Sequence, residues 1–445
     1  MKLTAAAVLI AASGALAQGT FKLTPVPKEG SKAAGGYYQP QRLMLSEEKP
    51  ATIRKAPAGL EAPLYGVLPI GKGKFHVILD EPEGKEARLF VDSNGNGDLT
   101  DDGDAVWTSR KVKARAPAPK PAAEGEEPAP APEPREYTQY NGGAVVKLVN
   151  GNEKMDAHLS MYRFDKTDPA RAALKNILMY YRDYAYEGEV KLGDKTYKVV
   201  LVDDLATGDF RGKEPPRAEN GAAPAAAARG SGVQLLIDVN GDGKYDTRGE
   251  RYDVRQPFAI GGQAYEITAM KPLGSDFRIV KSQKTVAQID PPPDHSVGKK
   301  ITAFEATDMA GKAVKFPGDF KGKVVMLDFW ATWCGPCMAE VPGLVAAYEK
   351  YNKEGFEVLG ISLDQPNAEK KIKDTLEKHG MAWRQVYDGK FWKAEIAQLY
   401  GISSIPAVFL VDGDTGEVLA VRGELRGASL EKTLTKALQK KRGAQ

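Results

Sequence analysis

Two kinds of hydrophobic patterning divide this chain. Over roughly the first 280 residues, short apolar runs alternate with polar positions and break at glycines. IGKGKFHV at 70–77, LGDKTYKV at 192–199 and IGGQAYEI at 260–267 each place an aliphatic residue and a glycine ahead of an alternating strand, which predicts repeated β-hairpins. Two further strands run into acidic loops, LFVDSNGNGDLTDDGD at 89–104 and LLIDVNGDGKYDTRGE at 235–250, and their likeness suggests a duplicated β-unit. The last third is different. KVVMLDFWA at 323–331 is a continuous apolar run with β-branched and aromatic residues, as a strand covered on both faces requires. Val341, Leu344, Val345 and Tyr348 then recur at helical spacing, so the pattern predicts a helix over 337–351.

Low-complexity stretches punctuate these patterns. ARAPAPKPAAEGEEPAPAPEPRE at 114–136 reads as a Pro/Ala/Glu linker or exposed loop, EPPRAENGAAPAAAARGSG at 214–232 as an interruption, and IDPPPDHS at 289–296 as a separator. The N-terminus, MKLTAAAVLIAASGALAQ, has one lysine, a short apolar run and an Ala-Leu-Ala ending, the layout of a secretory signal cleaved after Ala17. The apolar run falls short of the roughly 20 residues that span a bilayer. The expected organisation is multidomain: signal peptide 1–17, a β-rich unit at 18–113, a linker at 114–136, a second β-rich unit at 137–282, a linker at 283–296, and an α/β domain at 297–445. The mature protein is expected to be periplasmic, with no membrane span once the signal is removed.

Composition changes this picture little. With 62 Lys+Arg against 59 Asp+Glu, the formal charge of +3 advertises neither a nucleic-acid nor a membrane partner. The cysteine count says more. Cys334 and Cys337 are the only two in 445 residues, inside WATWCGPCMAEVP at 330–342. Disulfide staples of exported proteins close long loops, and a pair this close closes almost nothing. A structural zinc site needs four ligands, and the four histidines stand apart from the cysteines and from each other. Reversible thiol–disulfide chemistry remains. At a strand-to-helix junction the free N–H groups and helix dipole stabilise a thiolate, so Cys334 is the expected nucleophile and Cys337 the resolving thiol. Pro336 removes an N–H that the first turn would leave unpaired.

The motif and its flanks resemble the thioredoxin fold, and within it the exported TlpA-type thiol-disulfide oxidoreductases. FEATDMAGKAVKFPGDFKGKVVMLDFWATWCGPC carries the N-terminal hairpin, the Gly-Lys before the central strand and the Trp-Cys-x-x-Cys of that family. Ser404-Ile405-Pro406, followed by AVFLVD, occupies the place of its cis-proline loop, and EKKIKDTLEKHG at 369–380 that of its inserted helix. The resemblance implies a thioredoxin-like C-terminal domain. It implies proton-handling roles for Asp328, six residues before Cys334, and Glu340, three after Cys337. Trp333, Gly335, Pro336, Ile405 and Pro406 become substrate-docking residues. No organic cofactor is implied beyond the redox-active Cys334–Cys337 pair. Gly-Pro between the cysteines is the dipeptide of reducing thioredoxins, poised near about −270 mV, so a disulfide reductase is expected. Its partners would be protein disulfides, apocytochromes c among them, and an inner-membrane thiol donor of electrons. A peroxiredoxin-like peroxidase is less consistent, because no third cysteine exists.

The acidic loops leave a second function class open, a calcium-dependent binding or envelope-interaction protein with an accessory redox domain. Asp238, Asn240, Asp242 and Asp246 alternate around Gly243, and Asp92, Asn94, Asn96 and Thr100 around Gly97, as oxygen donors for a hard cation do. The closing acids, Glu250 and Asp104, come one residue later than in an EF-hand loop, and each loop follows a strand instead of a helix. The plain alternative is a tight Asn-Gly or Asp-Gly turn with solvated carboxylates.

Overall fold

The computed structural model describes residues 17–103, 105–113, 136–214 and 230–443. Residues 1–16 of the expected signal segment, Asp104 and most of the two low-complexity stretches lie outside the described residues. The chain forms two compact units, Met1–Ile289 and Asp290–Gln445.

The N-terminal unit is built almost wholly from antiparallel strands. All three glycine-led hairpins form as the pattern predicts, with two-residue loops closing at Ile70/Gly73, Leu192/Lys195 and Ile260/Gln263. The expected division into separate units at 18–113 and 137–282 does not hold. One five-stranded sheet runs Gln41–Met44, Ile177–Arg182, Glu153–Arg163, Glu136–Asn150, Val106–Lys113, so strands from both stretches share one ladder. A single core joins Leu43, Leu68 and Val77 to Leu159, Leu235 and Phe277. The reason is physical. A three-stranded piece such as Pro63–Ile70, Gly73–Asp80 and Arg88–Val91 buries one face only when other sheets cover it.

The duplication is visible within that single unit. Val77 pairs with Val91 and Val199 with Ile237, so each hairpin is extended by a third strand that runs into an acidic loop. The N–H of the loop-opening aspartate donates across the ladder in both copies, from Asp92 to His76 O at 2.8 Å and from Asp238 to Lys198 O at 3.0 Å.

The C-terminal unit begins with hairpin β1 (Phe304–Thr307) and β2 (Ala313–Phe316), followed by β3 (Val324–Trp330), α1 (Gly335–Tyr351) and β4 (Phe356–Ser362). Then come α2 (Glu369–His379), β5 (Arg384–Tyr387), α3 (Glu395–Leu399), β6 (Ala407–Asp412), β7 (Val418–Val421) and α4 (Ala428–Arg442). The main sheet is ordered β5-β4-β3-β6-β7, with β3, β4 and β5 parallel, β6 antiparallel to β3, and β7 antiparallel to β6. Every residue of β3 is buried, which explains its unbroken apolar run around one exception, Asp328. This is a thioredoxin-like domain, as the motif implies.

The linker expected at 283–296 is not a free segment. Residues 290–296 belong to the C-terminal unit, where the His295 ring lies 4.5 Å from that of Tyr400 and its Nε2 2.8 Å from Thr302 Oγ1. Prolines and a histidine look like spacer in sequence, yet they cover apolar surface once the sheet exists. At the other end of this stretch, Gln288 accepts the Gly262 N–H within the N-terminal unit.

Lys113 and Glu136 face each other at the end of one ladder. Replacing 114–135 by a short Asn-Gly turn should therefore leave cooperative unfolding intact, while residues 18–113 expressed alone should lack protected amides. Hydrogen exchange checks both, and slow exchange across 106–113 in the isolated fragment would restore two independent units.

Candidate active site

β3 delivers the chain into the site, and the turn that follows is fixed before the first cysteine. Thr332 donates its N–H to Asp364 Oδ2 at 3.0 Å and its hydroxyl to the other carboxylate oxygen. Ser362 Oγ donates to the same Asp364 at 2.8 Å, so the end of β4 clamps the turn after β3. Cys334 is then the N-cap of α1, with φ −84° and ψ 95°, and its Sγ accepts the Cys337 N–H at 3.2 Å. Pro336 occupies the first turn, where no N–H is missed. The two cysteines are joined in a disulfide.

Exposure does not separate the sulfurs, since both residues are only 4% exposed. Their surroundings do. A cavity of about 440 Å³ is lined by Cys337, Asp328, Glu340, Pro406 and Arg426, and Cys334 does not line it. Cys337 thus faces the acids, and Cys334 caps the helix beside the exposed Trp333, Gly335 and Pro336.

Asp328 pairs in register with Gly360 of β4 and Val408 of β6, at the middle of the sheet. Burial pushes its pKa up to about 7, the charge of Glu340 adds to the rise, and Arg426 opposes it. Burial also raises Glu340, again against Arg426, whose Nε lies 3.2 Å from Glu340 Oε1. A carboxyl near neutrality beside Cys337 can give and take a proton at ordinary pH.

Of the residues expected to dock substrate, only Pro406 lines the cavity. The Ile405–Pro406 bond is cis, as is Phe316–Pro317, which the sequence did not signal. Pro406 is buried at the cavity and Ile405 is half-buried. Trp333 is 41% exposed, donates its indole N–H to Leu363 O at 3.3 Å, and lies 5.3 Å from Phe391 and 5.8 Å from Trp392 between ring centroids. Trp330, by contrast, is core, with its indole N–H on Gln385 Oε1 at 2.9 Å.

Sequence reasoning missed Asp364, Arg426 and the Phe391–Trp392 pair. Asp364 could have been flagged by the logic that singled out Asp328, an acid at the edge of a buried strand. Arg426 carries no local signal, because only the fold brings it to Glu340.

The acidic loops are where a cation site or a plain turn is expected, and their acceptors are engaged as follows. Among the described residues, no three His, Cys, Asp or Glu side chains are grouped to hold a metal ion. Their acceptors serve as turn braces. Asp92 Oδ2 accepts the Gly97 N–H at 2.8 Å, Asp238 Oδ2 that of Gly243 at 3.1 Å, and Asn94 and Asn240 accept N–H groups two residues on, each at 2.9 Å. Gly97 and Gly243 take φ of 81° and 77°, a region where a Cβ is strained. Glu250 accepts the N–H groups of Val239, Asn240 and Asp246, leaving its carboxylate committed to backbone. Asp92 Oδ2 lies 2.9 Å from His76 Nδ1. Asp238 Oδ1 and, in the first loop, Asp102 Oδ2 are buried without a hydrogen-bond partner, features that would suit a cation. Asp242 lies instead beside the Lys244 ammonium at 3.4 Å, and burial raises Asp246.

Comparisons with known proteins bear on the C-terminal unit. The sequence profile of the AhpC/TSA family matches residues 297–420. The thiol-disulfide oxidoreductase ResA of Bacillus thuringiensis subsp. konkukian is 34% identical over 140 residues, which cover 32% of this chain and 78% of that protein. ResA of Bacillus anthracis matches to the same extent, 34% over 140 residues, 32% of this chain and 78% of its own. Among solved structures, the thioredoxin domain of a thiol-disulfide oxidoreductase from Bacteroides vulgatus is 32% identical and covers 32% of this chain and 98% of its own, with a TM-score of 0.29.

Two predictions follow the geometry. Asp328 holds its proton to about pH 7 when folded and to its ordinary 3.8 when unfolded. The folded state therefore binds the proton more tightly, and stability falls as pH rises from about 4 to about 7. Asp328→Asn should remove that fall and gain roughly 2–4 kcal/mol on the parent above pH 7. Parallel denaturant titrations at pH 4 and 8 measure it, and equal differences at both would contradict it. Several millimolar calcium tests the loops: a rise in melting temperature over chelator that Asp238→Ala with Asp242→Ala abolishes would mark cation binding, and an unchanged melting temperature would leave the loops as turns.

Proposed function

We infer the role of this protein from its family: residues 297–420 form an AhpC/TSA thioredoxin-fold domain, and the chain belongs to the thiol-disulfide oxidoreductases. Within that activity, it is an exported protein-disulfide reductase. In the reduced form the Cys334 thiolate attacks one sulfur of a substrate disulfide, and the other substrate sulfur leaves and takes up a proton. Cys337 then loses its proton and attacks Cys334 Sγ, which frees the second substrate thiol and closes the Cys334–Cys337 bond. Two electrons and two protons pass to the substrate, and an external dithiol returns them.

The observation that carries this reading is the asymmetric setting of the two sulfurs. Cys334 caps α1, where dipole and N–H groups favour a thiolate, beside the exposed Trp333. Cys337 lines the cavity with Asp328 and Glu340, where a leaving proton has a receiver. The reducing direction rests on Gly335-Pro336 between the cysteines. Export to the periplasm rests on the leader at 1–17; among the described residues no helix is long and apolar enough to cross a membrane. An exported reductase draws electrons from outside its compartment's thiol pool, so an inner-membrane dithiol protein is the donor, and protein disulfides, apocytochromes c among them, are the substrates. Since its two cysteines are each other's partners, the chain has no separate thiol for a peroxidase cycle.

Cys334→Ser should abolish reduction of a model disulfide such as insulin. Cys337→Ser should instead accumulate mixed disulfides through Cys334, recoverable from an exported preparation and identifiable by mass. Trapping through Cys337 in the Cys334→Ser form would reverse the two roles, and active Cys334→Ser protein would refute the mechanism.

A further inference from the structure

The active-site cavity contains one cation whose two attachments belong to different parts of the reaction. Arg426 lies in the short segment between β7 and α4, held by Leu425 and Leu430, both buried. Its Nε approaches Glu340 Oε1 at 3.2 Å, and its Nη2 donates to the carbonyl oxygen of Pro406 at 2.7 Å. Glu340 belongs to α1 three residues beyond Cys337, and Pro406 leads into β6 beside the disulfide. One planar guanidinium therefore joins the acid end of the site to the docking end, a geometry that an ammonium on a flexible stem does not reproduce.

We propose that Arg426 is a positioning residue of the exchange reaction, fixing the Pro406 loop for substrate docking and holding Glu340, and through it Asp328, in the form that accepts the proton of Cys337. The proposal rests on the exchange mechanism given above and assigns Arg426 no contact with the reacting sulfurs. Two effects follow, one from its ion pair with Glu340 and one from its hydrogen bond to Pro406. The first is electrostatic. The Arg426 guanidinium favours the ionised form of the carboxylates beside it. The groups facing Asp328 are Glu340 and Cys337 from α1 and Arg426 from the segment before α4. Further along the cavity, Lys350 and Tyr351 of α1 meet Glu431 of α4, and Lys350 and Glu431 pair with each other. Arg426 is thus the cation acting on the acid pair. Without it both acids hold their protons to higher pH, and a step that needs an ionised acceptor loses rate at neutral pH. The second effect is geometric. The Pro406 carbonyl loses its guanidinium donor, and a loop that must present itself to a substrate backbone becomes less ordered before binding.

Separating the two effects requires three substitutions in the full chain. Arg426→Lys keeps the charge and loses the two-ended grip. It should leave the acidic limb of the pH–rate profile in place and raise KM several-fold for a protein disulfide. Arg426→Gln keeps a donor for Pro406 and loses the charge. It should move that limb up by about one pH unit, the size expected of a half-exposed ion pair, with KM little changed. Arg426→Met should show both effects. If Met unfolds the domain, as circular dichroism would reveal, the Lys and Gln forms still carry the separation. The same profile is read independently of turnover from the pH dependence of Cys337 alkylation in the reduced Cys334→Ser background. A pH limb and KM both unchanged in the Lys and Gln forms would overturn the proposal while leaving the exchange mechanism standing. A parent protein inert toward all disulfides would overturn both.

Discussion

A carboxyl group placed in the middle of a strand that is buried along its whole length must be paired, hydrated or protonated. Asp328 is only partly served by the first two. Arg426, which opposes its rise, is ion-paired with Glu340, and the cavity Asp328 lines is shared with Cys337. Protonation is what the strand allows, and it brings the group's titration to about pH 7. Much of the domain follows from accommodating this one acid. β3 is central and buries it, α1 is capped at Cys334 and brings Cys337 to the same cavity, and the segment before α4 brings a counter-charge. The energetic burden that burial places on the fold is also what gives the acid a working range near neutrality.

The clamp at Asp364 shows a complementary use of a buried carboxylate. There two donors from Thr332 and one from Ser362 satisfy the oxygens, and the group stabilises geometry instead of carrying a proton. Chemically similar side chains, one at the heart of β3 and one just past the end of β4, are separated in role by whether their hydrogen bonds are filled. That contrast places the proton chemistry on the Cys337 side of the disulfide and rigidity on the Cys334 side.

Local patterns carried the parts of this fold that are local in origin. The run at 323–331 became β3, the 3.6-residue spacing after Cys337 became α1, and 369–380 became α2 within a residue. The three glycine-led hairpins formed because a two-residue turn is decided by its own residues. Features that depend on distant partners were not legible. Val106–Lys113 joins Glu136–Asn150 across a low-complexity stretch, which turned two expected β-rich units into one. The proline-rich 290–296 became packing surface once Tyr400 stood opposite His295. Alternating acidic residues read equally as cation ligands or as turns, and the bonds that Asp92 and Asp238 accept from the N–H groups of their own turns are a detail that spacing alone does not encode. Arg426 is the plainest case, since nothing in RGELRG distinguishes an arginine that reaches Glu340 from one in water.

The exchange chemistry depends most on the state of one proton, and that proton can be watched directly. Carbon-13 NMR of the aspartate carboxyls in the oxidised full-length protein, with Asp328→Asn to identify the resonance, follows Asp328 from pH 4 to 9. The structure predicts a midpoint near pH 7, displaced upward by burial and by Glu340. A midpoint in the ordinary carboxylate range near 4 would mean that Asp328 is ionised throughout, and would remove it as the acceptor of the Cys337 proton.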